Sequence, residues 1–290
     1  MVDKSVADLI QQLHNTHVDI QQEGAIRLIE RGDSVVASVL ACLADGNSDV
    51  RYLATWVLGE IGDKRAVEPL IEALRDSDAR VQDWAAKALG EIGDERAIAP
   101  LVRILEDSPS AMTRRNAAAA LGWLGNEDAI SPLSKTLFDS DAEVRGISAE
   151  ALGKLHANNA VESLVTLLSD DDEWVRIRTA HALGTIADSR ATDALIKSLD
   201  DDNEWVRYNA ALSLGEIDEI NTQKAVPRLI EKLAHDGNIN ARRGIATALG
   251  RIGDEEALQS LKTALDNNTD DMVLEAIDRA LQNLGYRVGS

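Results

Sequence analysis

Apolar residues return along this chain with the 3.6-residue period of an amphipathic helix, and the helical stretches themselves return about every 31 residues. The clearest marker is a phrase Leu-Gly-x-(Ile/Leu) at Leu58, Leu89, Leu121, Leu152, Leu183, Leu214 and Leu249, with spacings of 31, 32, 31, 31, 31 and 35 residues. Seven residues before each phrase stands Arg51, Gln82, Arg114, Arg145, Arg176, Arg207 or Arg242. With that residue set to zero and about 100° per residue, positions −1, +3, +6, +7 and +10 hold Val, Ala and Leu and define a buried arc. Positions −2, +1, +2, +5 and +9 fall on the opposite arc and vary from repeat to repeat, as a solvent-facing surface does. The pattern predicts units of two helices, each burying its apolar stripe against its neighbours in a stack.

Punctuation residues fit this division. Gly62, Gly93, Gly125 and Gly253 follow the second helix, where a left-handed cap is needed. Asp63, Asp94, Asn126, Asp188 and Asp254 come next and supply a capping oxygen to the following turn. Pro69, Pro100, Pro132 and Pro227 share one register near the start of the first helix, where a missing N–H costs little. Pro109 marks a one-residue insertion, and a larger one near 218–223 predicts irregular stacking. Degenerate repeats around Leu28, with Gln21 in the arginine slot, and around Leu281 and Leu284 would cap the ends, over about 1–32 and 254–290. No Pro/Gly/Ser linker breaks the period, so one all-α domain over 1–290 is expected, with about eight helix pairs and sixteen helices.

The stretch Arg65-Ala66-Val67-Glu68-Pro69-Leu70-Ile71-Glu72-Ala73-Leu74-Arg75-Asp76, followed by Val81 and Leu89-Gly90-Glu91-Ile92-Gly93-Asp94, resembles the HEAT-like repeat. The likeness runs over nearly the whole chain and is nearest to the short HEAT-like repeats of the phycobilin lyase type. It implies a right-handed α-solenoid whose second helices line a concave groove. It also implies a structural ladder in which an inter-helix Asp meets a second-helix Arg: Asp45/Arg51, Asp107/Arg114, Asp139/Arg145, Asp170/Arg176, Asp201/Arg207 and Asp236/Arg242, with Gln82 breaking the series beside Asp76.

Aromatic residues change this picture from a scaffold to a surface. The chain has nine, yet the 35 groove positions of the seven phrase-bearing repeats include Tyr52, Trp56, Trp84, Trp123, Trp174, Trp205 and Tyr208, hence all five tryptophans. Trp and Tyr carry large apolar area on few rotatable bonds and are enriched where proteins grip partners. Charge divides in the same way. The groove positions carry seven acidic and seven basic residues, so the net charge of −20 belongs to the outer helices, turns and ladder. Ile177, Arg178, His181 and Arg115 complete the candidate partner-binding set, in which Trp174 and Trp205 are expected as parallel rungs one repeat apart.

Catalytic, metal and cofactor chemistry is not expected. None of the five histidines is followed by Glu, so the iron-binding His-Glu dyads of deoxyhypusine-hydroxylase-like HEAT enzymes are missing. His14 and His17 have no convergent Cys or carboxylate, and the recurring glycines end helices and do not form a phosphate loop. A neutral groove in an acidic shell argues against nucleic acid, whose phosphates demand a basic face. No apolar run reaches a membrane span, the N-terminus lacks a signal-peptide pattern, and the single Cys42 reads as a small semi-buried hydrophobe, so a cytoplasmic protein is expected. The resulting reading is a non-enzymatic scaffold that binds an apolar or amphipathic segment of another protein. The alternative that the resemblance implies is a bilin lyase or bilin/apoprotein chaperone holding a linear tetrapyrrole in the groove.

Overall fold

The computed structural model describes residues 4–218 and 222–286. The chain divides into two compact units, residues 1–136 and 137–290. The first contains α1 (Val6–Leu13), α2 (Val18–Glu30), α3 (Val36–Cys42), α4 (Ser48–Ile61), α5 (Val67–Ala73), α6 (Ala79–Ile92), α7 (Ile98–Asp107), α8 (Ala111–Leu124) and α9 (Ile130–Thr136). The second contains α10 (Ala142–Lys154), α11 (Val161–Leu167), α12 (Glu173–Ile186), α13 (Thr192–Ser198), α14 (Glu204–Leu214), α15 (Val226–His235), α16 (Ile239–Ile252), α17 (Leu258–Asn267) and α18 (Asp271–Asn283). No strand occurs among the described residues. Among the described residues these are eighteen α-helices, where about sixteen were expected, because both degenerate ends hold complete helix pairs in addition to the seven phrase-bearing repeats. Met1 to Asp3, residues 219–221 of the larger insertion and 287–290 lie outside the described residues.

In each unit the second helices form the tightly packed row: α2 on α4 on α6 on α8, and α10 on α12 on α14 on α16 on α18. Their apolar stripe is closed to solvent, as Val50, Ala54, Val57 and Leu58 on α4 and Val175, Ala180, Ala182 and Leu183 on α12 show. The glycine of the Leu-Gly phrase makes the tight row possible. A Cβ on Gly90 would stand 2.8 Å from the Ala120 Cα, and one on Gly250 would stand 2.6 Å from the Ala280 Cα. Helix backbones therefore touch through paired small residues, an assignment that the sequence reading did not make.

Helix ends follow from local chemistry. Gly62, Gly93, Gly125 and Gly253 have φ of +74°, +71°, +71° and +73°, a region that is cheap only without a side chain. Ala187 stands in the same role with φ +58°, and His156 has φ +47°, so two repeats carry a strained cap. Asp63, Asp94, Asn126, Asp188 and Asp254 each accept an N–H two residues on, which starts the 3-10 turn leading into the next first helix. Near the 35-residue spacing, α14 ends early at Gly215, yet a Cβ there would be 3.1 Å from the Ala248 Cα. The second-helix row thus continues on either side of the insertion, where irregular stacking was expected and whose residues 219–221 lie outside the described residues. Cys42 is buried, and that burial raises its thiol pKa.

Candidate functional site

Arginine at the zero position fixes how each second helix leaves its turn, and its partner differs from the one expected. Arg145 donates from Nη1 to the main-chain oxygen of Asp139 at 2.9 Å, whereas Nε and Nη2 grip the carboxylate of Asp170, in the following repeat, at 2.8 Å each. Arg51 does the same with the Asp45 carbonyl and the Asp76 carboxylate, Arg176 with Asp170 and Asp201, and Arg207 with Asp201 and Asp236. The Asp of an arginine's own repeat contributes a carbonyl, and its carboxylate belongs to the arginine one repeat earlier. The six-residue spacing hid this because the carboxylate is spent on the turn ahead: Asp170 Oδ1 also accepts the Asp172 N–H at 2.9 Å.

Departures from the ladder obey the same geometry. Arg114 donates to the Ser108 carbonyl at 3.0 Å while Asp107 lies exposed, since the extra residue at Pro109 moves the turn by one. Gln82 keeps only the carbonyl half, to Asp76 at 2.6 Å. Asp45 receives the Nε2 of His14 at 2.9 Å where an earlier arginine would reach, and that bond raises the His14 pKa. Arg242 keeps its bond to the Asp236 carbonyl at 2.8 Å.

Rows locked this way present the −2, +1, +2, +5 and +9 positions outward. In the first unit, Trp84 meets Tyr52 edge-on with ring centroids 5.9 Å apart and meets Trp56 at 6.1 Å. Lys87 lies over the Trp84 ring at 4.3 Å and Arg80 over Tyr52 at 5.6 Å, so this trio is a half-buried, cation-covered cluster. Trp123 is more open, 49% exposed, although its ring edge rests over Gly90. Arg115 is half-buried on the same helix. Beside them burial pushes the Asp83 carboxyl up while the Thr113 hydroxyl donates to it at 2.7 Å.

In the second unit, Trp174 and Trp205 are the second residues of α12 and α14. Their N–H groups are tied to the capping side chains of Asp172 and Asn203 at 2.9 and 2.8 Å. The backbone is pinned while the rings stand out, 58% exposed for Trp174 and 41% for Trp205. The expected parallel rungs are not what forms: Trp205 packs edge-on against Tyr208, centroids 5.7 Å apart at 81°. Tyr208 itself lies against Gly244, under Arg243 at 5.1 Å, because the neighbour offers no side chain there. Arg178 likewise lies across Gly146, Ile177 is half-buried, and His181 is exposed one turn further along α12.

Past Tyr208 the face opens into a cavity of about 540 Å³ bordered by Leu212, Arg243, Thr247, Arg251, Met272 and Arg279. The sequence reading missed it. The signal was present in the arginines at positions +1 and +9 of α16. Arg251 is paired with Glu216 and Arg279 with Glu275, so the rim holds orientable cations beside apolar walls. Among the described residues no group of three or more His, Cys, Asp and Glu could hold a metal ion, and no helix is long and apolar enough to cross a membrane.

Six overlapping stretches, residues 36–121, 67–153, 100–176, 135–215, 161–231 and 192–282, match the family model described as HEAT repeats. No match was found among curated proteins. Among solved structures, the YibA protein of Escherichia coli is similar with a TM-score of 0.66 at 23% identity, covering 94% of this chain and 100% of that one. An engineered protein is similar with a TM-score of 0.58 at 23% identity, covering 97% and 89%. The complex of CpcE and CpcF of phycocyanin lyase from Nostoc follows with a TM-score of 0.49 at 21% identity, covering 84% and 94%.

Proposed function

We propose that this chain, which belongs to the HEAT repeat family, is a non-enzymatic scaffold that binds a segment of another protein across the exposed face of its second helices. The observation that carries the reading is the pair of open indoles one repeat apart, Trp174 and Trp205, each on a backbone fixed by its cap. A soluble surface rarely leaves two such rings uncovered without a use, and rigid aromatic anchors of this kind are each worth about 2 kcal/mol or more in interfaces. The partner segment is amphipathic. Its apolar side chains cover Trp174, Trp205 and Tyr208 with Ile177 and His181 alongside, and its acidic groups meet Arg178 and the arginines around the 540 Å³ cavity. Tyr52, Trp56, Trp84, Trp123 and Arg115 form the matching surface of the first unit.

The test is a peptide-display selection against the whole protein, with affinities of the selected peptides read from tryptophan fluorescence. The reading expects sequences combining aromatic or aliphatic anchors with Asp or Glu, and at least a hundredfold loss of affinity in the double change Trp174→Ala and Trp205→Ala. Helicity and melting should be nearly unchanged, since neither ring fills the core. Binding retained by the double variant, or collapse of its fold, refutes the reading.

A further inference from the structure

Arg51, Arg145, Arg176 and Arg207 spend one edge of the guanidinium on a main-chain carbonyl and the other, Nε with Nη2, on the next repeat's carboxylate at 2.7 to 3.0 Å. Arg242 makes the first bond in the same way, to the Asp236 carbonyl at 2.8 Å, which holds its second edge in the same attitude. That edge has no carboxylate. Asn268 ends α17 as Asp236 ends α15, each an extended residue two positions before the next capping residue, Asp270 or Asn238. Asn268 turns its amide back to donate to the Ala264 carbonyl at 2.6 Å. The Arg242 Nε is buried with no hydrogen-bond partner among the described residues.

A buried, unpaired donor on a charged group is costly, and a bidentate carboxylate is the acceptor that this fork fits. Arg242 borders a cavity of about 360 Å³ between α15 and α17, with Ile230 and Leu233 on one wall and Gln259, Ser260, Thr263 and Asn267 on the other. No other lysine or arginine lines it. We propose that this open rung is a binding site for a small monocarboxylate. The carboxylate closes the fork of Arg242 as Asp76, Asp170, Asp201 and Asp236 close theirs, an uncharged body of a few carbons rests on Ile230 and Leu233, and the hydroxyl and amide groups of α17 meet its polar edge. The site lies between first helices and is independent of the aromatic face.

The experiment follows the Arg242 Nε–H resonance in arginine-labelled full-length protein, assigned with Arg242→Gln. Probes are acetate, butyrate and benzoate, their primary amides, and short peptides with free or amidated carboxyl termini. The acids should give saturable shifts, and the amides should bind at least tenfold more weakly or not at all. Free-terminus peptides binding at least tenfold more tightly than butyrate would identify a chain terminus as the source of the carboxylate; weaker peptides would leave the small acid. Asn268→Asp places the missing carboxylate inside the fold, so it should raise the melting temperature and weaken every acid at least tenfold. Absence of a saturable shift with any acid or peptide, equal binding of acids and amides, or unaltered acid affinity in Asn268→Asp overturns the proposal.

Discussion

Arg145→Gln should destabilise the second unit by removing the carboxylate half of one rung while keeping the carbonyl half, since glutamine at the same register in Gln82 makes that bond. The lost contacts are two charge-assisted bonds of 2.8 Å between groups that are 18% and 11% exposed. Bonds of this class contribute about 1.5–3 kcal/mol each, but Asp170 retains the Asp172 N–H and the freed side chain recovers entropy. The net loss should be about 2–3 kcal/mol, or roughly 5–10 °C in melting temperature for a unit of this size. Arg145→Ala, which also gives up the Asp139 carbonyl bond, should cost about 1 kcal/mol more. Calorimetry of both variants, with Asp170→Asn and the double change, isolates the pair, whose coupling should be about 1.5 kcal/mol or more. If Arg145→Gln melts within a degree of the parent, or behaves like Gln82→Ala, the rung carries no stability and the reasoning fails.

Acid should weaken the ladder: the bond from Arg51 holds Asp76 below the usual carboxylate range, so its contribution is complete above the unfolded pKa near 4 and disappears as pH falls through the lower folded value, which acid titration of stability will show. His14 has the opposite sign. Its pKa is raised above 6.5 by Asp45, so its contribution is complete below the unfolded value and disappears as pH rises through the folded one; protection of the α1 amides, corrected for the intrinsic pH dependence of exchange, should fall as pH rises above the unfolded value, and His14→Gln should remove that fall. Ala187→Gly relieves a left-handed backbone at φ +58° and should raise stability by about 0.5–1 kcal/mol after the added freedom of the unfolded chain is subtracted; no rise in melting temperature would contradict this. Gly250→Ala drives a methyl to within 2.6 Å of the Ala280 Cα and should cost about 1–3 kcal/mol in chemical denaturation, and a neutral result would show that α16 and α18 are not held at that spacing.

Periodic features were legible because they depend on single residues acting locally. The apolar stripe, the capping glycines and the capping carboxylates each announce themselves every 31 residues. Ladder partners were harder to read, since Asp139 and Asp170 are equally well placed in sequence to meet Arg145, and only the folded turn shows that the first offers its carbonyl and the second its carboxylate. The Leu-Gly glycine was used as a marker without a role because its role lies on a neighbouring helix. At the candidate site the face was readable but the posture of each ring was not. Tyr208 lies down because Gly244 leaves room for it, whereas Trp174 and Trp205 stand at the openings of their helices on capped backbone. Pairwise vacancy of that kind is not visible in a single helix.

The directed rung also bears on how such a chain could have grown. Every repeat that follows the rule brings an acceptor for the copy before it and a donor for the copy after it, so a tandem duplication adds one of each wherever the break falls and orphans neither. Tolerance to changes of length comes with it. Three of the rungs span 25 residues and the one from Arg207 to Asp236 spans 29, yet its bonds of 2.7 and 3.0 Å stay within the 2.7 to 3.0 Å of the others. The loop after a second helix can therefore differ in length without retuning the junction.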